Sequence, residues 1–158
     1  MFIPALALKY PWMFVSSIFL HAGIDHIAVN MLVLFVFGSY LERTIGAKGF
    51  LLVFFLAGVI GNIGYMITAT DPYTPALGAS GAIYGVMGTL AILSPFLIVY
   101  LGFIVPVPMI IAMIGYAILD LVGFFTPSDV AHAAHLAGLV VGIIYGFYLR
   151  SRVKRTEW

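Results

Sequence analysis

Serine, histidine and asparagine side chains that could perform acyl transfer sit in a chain otherwise poor in polar groups. Ser80 lies in GASGAIYG (78–85), His132 and His135 in HAAHLAG (132–138), and His26 and Asn30 in HIAVN (26–30). A serine hydroxyl becomes a nucleophile when a base lies within hydrogen-bond reach, and histidine is the commonest such base. His132 and His135 are about one helical turn apart, so spacing alone leaves both open as that base. His26 and Asn30 are four residues apart and share a helix face. Both donate hydrogen bonds as neutral side chains, which suits a developing oxyanion. Each residue also has a plainer reading. Serine and glycine in apolar helices are commonly packing residues, asparagine steadies helix contacts, and a histidine can cap a carbonyl or line a cavity. The case for chemistry is that they gather at one depth.

The elements that must position them are apolar. The chain has 158 residues, 63% hydrophobic and 8% charged, with mean hydropathy +1.15. Soluble domains carry about 25% charged residues, so this composition points to an all-α membrane protein, a polytopic helical bundle. No domain linker or repeat interrupts it, and residues 1–158 read as a single domain. Cysteine is absent, which excludes disulfides, a thiol nucleophile and thiolate metal sites. The opening MFIPALALKYPW lacks a charged n-region and a cleavage site. Broken by Pro4 and Pro11, it reads as a short interfacial or loop segment.

A spanning helix needs about 20 apolar residues. Candidates run from Trp12 to Leu41 (with a polar opening at His21–His26), Phe50 to Thr68, Ser80 to Leu97, Pro106 to Phe125 and Val130 to Leu149. Loops are expected at Glu42–Lys48, Ala69–Ala79, Tyr100–Phe103 and Thr126–Asp129. Arg43 and Lys48 then share a side with Arg150, Arg152, Lys154 and Arg155, leaving Lys9 opposite. The positive-inside rule makes the shared side, and the C-terminus, cytoplasmic. Ser80 and the 126–135 region fall near the outer face. Gly81, Gly85 and Gly88 follow Ser80, and Gly138, Gly142 and Gly146 follow His135. Small residues at this spacing let helices approach closely. The third and fifth helices should therefore pack together, with Ser80 and His135 at the same end of the seam, a reach that needs no acidic partner.

Four stretches in order, HAGIDHIAVNMLVL, LERTIG, GASGAIYG and AHLAGLVVG, resemble the rhomboid family of intramembrane serine proteases over nearly the whole chain. The resemblance implies a rhomboid-like fold, with about five transmembrane helices here against six in the usual core. The chain starts in what looks like the family's first loop. It also implies a Ser80–His135 dyad, the family's base preceding a Leu-Ala-Gly sequence, with His132 nearer the loop and water. His26, Asn30 and the Ser80 N–H would donate to the oxyanion. Gly78 would shape the strained loop before the serine, and Tyr84 would pack on the base. Glu42 and Arg43 match a structural feature at the cytoplasmic end. Asp120 is a tempting third member, but the family works without one and Asp120 falls on the helix resembling its mobile gate. It is therefore expected to stand outside the chemistry. Phe124, Phe125 and Pro127 would cap the site.

These features imply transmembrane protein substrates cut near the outer face of the cell membrane, a lipid bilayer around the protein, no cofactor and no nucleic acid. They carry no signal for oligomeric state. The alternatives are a catalytically inactive rhomboid-like membrane binding protein, whose kind typically lacks the serine or histidine, and a truncated, inactive protease. A metalloprotease or metal transporter fits less well. The chain has no HExxH, and only Asp25 and Asp129 flank the histidine pairs His21/His26 and His132/His135. No metal site is expected.

Overall fold

The computed structural model describes residues 1–102, 104–126, 128 and 130–150. Phe103, Pro127, Asp129, Arg152, Lys154 and Arg155, invoked above for loops, cap and orientation, lie outside the described residues. The chain begins with two short helices, α1 (Pro4–Ala7) and α2 (Met13–Ser16), and a 3-10 turn (Ser17–Phe19). The expected first helix from Trp12 is thus broken, and its continuous part starts at Ile24. The N-terminal segment is tied down at two places. Phe2 exchanges two 2.8 Å backbone hydrogen bonds with Ala76. The buried Asn62 amide donates to Phe14 O at 2.8 Å and to Ser17 Oγ at 2.9 Å.

Helix α3 (Ile24–Val33) passes through a π turn (Leu34–Gly38) into α4 (Ser39–Thr68). The loop expected at Glu42–Lys48 is instead a corner at Gly46, with φ 79°. Left-handed backbone at one residue turns the chain, and glycine takes it without a Cβ clash. Helix α5 (Ser80–Leu93) follows and ends before the expected Leu97. Strands β1 (Ile98–Leu101) and β2 (Val105–Pro108) form an antiparallel hairpin. The hairpin corrects the all-α expectation, and its turn at Gly102, closed by Ile104 N–H donating to Leu101 O at 3.1 Å, falls within the turn expected at Tyr100–Phe103. Pro106 pairs with Tyr100 and Pro108 with Ile98, and proline is tolerated on such an edge strand. Helix α6 (Met109–Phe124) therefore begins after Pro106, and α7 (His132–Arg150) completes the described fold. Among the described residues two helical runs, Ile24–Thr68 and His132–Arg150, are long and apolar enough to cross a membrane; Ser80–Leu93 and Met109–Phe124 are shorter apolar helices.

Helix α5 is the centre of the bundle, packed between α4 and α7. Val53 and Ala57 of α4, Val86 and Leu90 of α5 and Leu139 of α7 are buried. The α5–α7 seam is backbone against backbone, as the glycine spacing predicts. A Cβ at Gly138 would overlap the Gly81 carbonyl, and one at Gly142 the Gly85 carbonyl. Thr89 Oγ1 bridges the seam, donating to Gly85 O at 2.9 Å or Gly142 O at 3.1 Å. Gly142→Val puts three carbons where a carbonyl stands, and neither backbone can yield without parting the helices. Overpacking of this kind costs about 1–3 kcal/mol. The expected result is a lower thermal midpoint in detergent, read by circular dichroism.

Candidate active site

The seam fixes where the reactive groups meet. Ser80 is the first residue of α5, after Ala79 at the N-cap. The preceding Gly78 has φ 119°, a conformation that favours glycine, and its N–H donates to Ser17 O at 3.0 Å. This turn delivers Ser80 to the helix end, where the first backbone N–H groups have no intrahelical acceptor. His135 lies in the first turn of α7. Its Nε2 is 2.7 Å from Ser80 Oγ, so the hydroxyl donates to the ring. Tyr84, one turn into α5, stacks on His135 with ring centroids 4.5 Å apart and planes 12° from parallel.

An acidic partner is present. Asp120, buried near the end of α6, accepts from His135 Nδ1 at 2.9 Å. That bond places the ring's proton on Nδ1 and leaves Nε2 free to accept from Ser80. His132 Nδ1 donates to the same Asp120 oxygen at 2.6 Å, and its Nε2 is 3.1 Å from Ser128 Oγ. Of the two histidines that spacing left open, only His135 reaches Ser80. His132 lies nearer the loop, as expected, with its side chain 16% exposed against 12% for His135, and it is also a second donor to Asp120. Asp120 was the residue that sequence reasoning set aside. The available signal was a carboxylate inside the apolar run 109–124, a costly placement that marks functional positions.

His26 and Asn30 are both on α3 and reach the site differently. The Ala22 N–H donates to His26 Nδ1 at 3.4 Å. This long contact favours the tautomer with a proton on Nε2. A Cβ at Gly78 would lie 2.8 Å from His26 Nε2 and 3.9 Å from Ser80 Oγ, so the ring stands over the loop that carries the serine. Asn30 is buried. Its Nδ2 donates to His26 O at 2.8 Å, keeping one N–H in reserve, and its Oδ1 has no hydrogen-bond partner. Asn30 and Ser80 line one cavity of about 620 Å³, walled by Val33, Phe37, Tyr84 and Met87. His21 packs edge-on against His26, centroids 5.1 Å apart.

The arrangement is a helical bundle that holds a serine against a histidine between two close-packed helices, beside an apolar cavity. The Rhomboid domain family model matches residues 9–152. The rhomboid relative YdcA of Bacillus subtilis is 34% identical over 147 residues, covering 91% of this chain and 70% of that protein. Rhomboid protease GluP of the same organism is 34% identical over 136 residues, covering 83% of this chain but 24% of GluP. RHOMBOID-like protein 12, mitochondrial, of Arabidopsis thaliana is 36% identical over 150 residues, covering 82% and 44% respectively. The chain belongs to the rhomboid family, a family of membrane proteins.

Proposed function

We propose that this chain is an intramembrane serine endopeptidase that cuts transmembrane proteins near the outer membrane face. The observation that carries the reading is the 2.7 Å contact of Ser80 Oγ with His135 Nε2, on a ring oriented by Asp120. Ser80 Oγ attacks the scissile carbonyl carbon while its proton passes to His135 Nε2. The resulting oxyanion accepts from the Ser80 N–H and from the Nε2–H of His26 and the free amide N–H of Asn30. The positive end of the α5 dipole adds to this stabilisation. Collapse breaks the C–N bond, and the His135 proton leaves with the amine. Water then hydrolyses the acyl-enzyme, giving its proton to His135 and restoring the Ser80 hydroxyl. Asp120 holds Nδ1–H throughout as a positioning residue. Tyr84 fixes the ring plane by stacking.

The cavity suits a substrate segment that has left its helix. Its apolar walls take side chains, and the unpartnered Asn30 Oδ1 can accept a substrate backbone N–H. Glycine or proline near the cut should help by lowering the cost of unwinding. For membrane placement we take five crossings: Ile24 to the Gly46 corner, the corner to Thr68, and α5, α6 and α7. Arg43, Lys48 and Arg150 then share one side, which assigns a cytoplasmic C-terminus in the cell membrane. Gly49 lies against the Tyr145 hydroxyl, and Gly61 against Ala134, so the Gly46 corner and the end of α7 do share an end of the bundle. Ser80 stands at the other.

The direct test is cleavage of a reconstituted single-span substrate in proteoliposomes, with and without EDTA. Cleavage that persists in EDTA and is absent in Ser80→Ala is expected; loss of cleavage on chelation would overturn the mechanism. His26→Ala removes one oxyanion donor and should lower kcat by about 10²–10³-fold, with KM little changed.

A further inference from the structure

The peptide chemistry above uses only part of the cluster around Asp120. One carboxylate oxygen that orients one base needs no second imidazole, yet Asp120 Oδ1 meets His132 Nδ1 at 2.6 Å as well as His135 Nδ1 at 2.9 Å. The three residues each offer a ligand atom, all within 4.8 Å of one another. Helix α6 is cleared for the second ring, since a Cβ at Gly123 would overlap His132. The far nitrogen of His132 is 3.1 Å from Ser128 Oγ, the kind of outer contact that orients ligating imidazoles.

We propose that Asp120, His132 and His135 bind a divalent transition metal ion of the zinc type, and that this ion reversibly switches Ser80 off. Two imidazoles and a carboxylate suit such ions rather than magnesium or calcium. Tetrahedral zinc with bonds of about 2.0–2.1 Å sets its ligand atoms about 3.4 Å apart. The 2.6 and 2.9 Å separations therefore widen by less than about 1 Å on binding. Water takes the fourth position. The side chains of His132 and His135 are 16% and 12% exposed, so the ion reaches them from the end of the bundle where α7 begins.

Inhibition follows from the tautomer. The working base carries its proton on Nδ1 and accepts at Nε2. A metal on Nδ1 moves the proton of the neutral ring to Nε2, the atom facing Ser80. That nitrogen then donates to the serine and cannot take its proton, and Asp120 is withdrawn into the coordination shell.

The inhibition arm rests on Ser80 and His135 acting as nucleophile and base; the binding arm does not. Binding is read with cobalt(II) on the full-length Ser80→Ala chain in detergent. The expected result is a visible absorption band of tetrahedral intensity, displaced by zinc and lost in Ser80→Ala carrying His132→Ala. His132→Gln is the second variant should the alanine protein fail to fold. Switching is read as fluorophosphonate labelling of the native chain. It should fall at least tenfold in zinc and recover in EDTA, while labelling of the His132 variant is the same with and without zinc. No cobalt band from a folded chain overturns the site. Equal zinc inhibition of the His132 variant overturns the switch. A cobalt band in a chain that never labels supports the site and refutes the proteolytic reading.

Discussion

Ser80→Ala is expected to abolish proteolysis, with kcat falling by about 10⁴–10⁶-fold. The removed oxygen is the one 2.7 Å from His135 Nε2, and among the described residues no second serine lines the cavity. His135→Ala should cost a similar amount, because nucleophile and base act as one unit. The double variant should be hardly worse than either single one, as non-additivity in such units requires. Neither change should unfold the bundle. The seam below Ser80 is held by Gly81, Gly85 and Thr89 against Gly138 and Gly142, and an alanine at either site leaves those contacts intact. Rates from single-turnover cleavage, beside thermal midpoints, check both statements.

Asp120→Asn is expected to lower kcat by about 10²–10⁴-fold, since a histidine held in the wrong tautomer loses its accepting nitrogen. An asparagine that turns its amide N–H toward His135 Nδ1 would demand acceptance there, which places the ring proton on Nε2. Asp120 does not line the apolar cavity proposed to take the substrate, so KM should stay near its starting value. A role confined to holding α6 against α7 would lower the thermal midpoint and leave kcat of the surviving folded fraction unchanged. Asp120→Glu separates the two, because it keeps the accepting oxygen and should recover part of the rate.

Much of this site could be read from the sequence because its parts lie in short local patterns. His26 and Asn30 share a helix face, Ser80 stands among small residues at a helix start, and His135 leads a glycine stripe. Asp120 has no such pattern. It sits 15 residues before its partner His135 on another helix, and only the folded chain brings the two together. The same limit hid the role of His132, whose partner is again Asp120. The break between the first two helices is legible at 42–48, but not its form: Glu42, Arg43 and Lys48 look like an open loop, while a single positive φ at Gly46 does the turning. The hairpin was missed because Pro106 and Pro108 look like a helix opening, yet both pair on an edge strand. The buried Asn62, which anchors Phe14 and Ser17, carries no local mark of that distant contact.

The most direct test of the central claim is intact-mass analysis of the detergent-purified chain after fluorophosphonate treatment, with peptide mapping of the adduct. The account predicts one adduct, on Ser80, absent from Ser80→Ala and from His135→Ala. A folded chain that binds transmembrane segments and takes no adduct would contradict it, and would identify a rhomboid-like scaffold that binds without cutting.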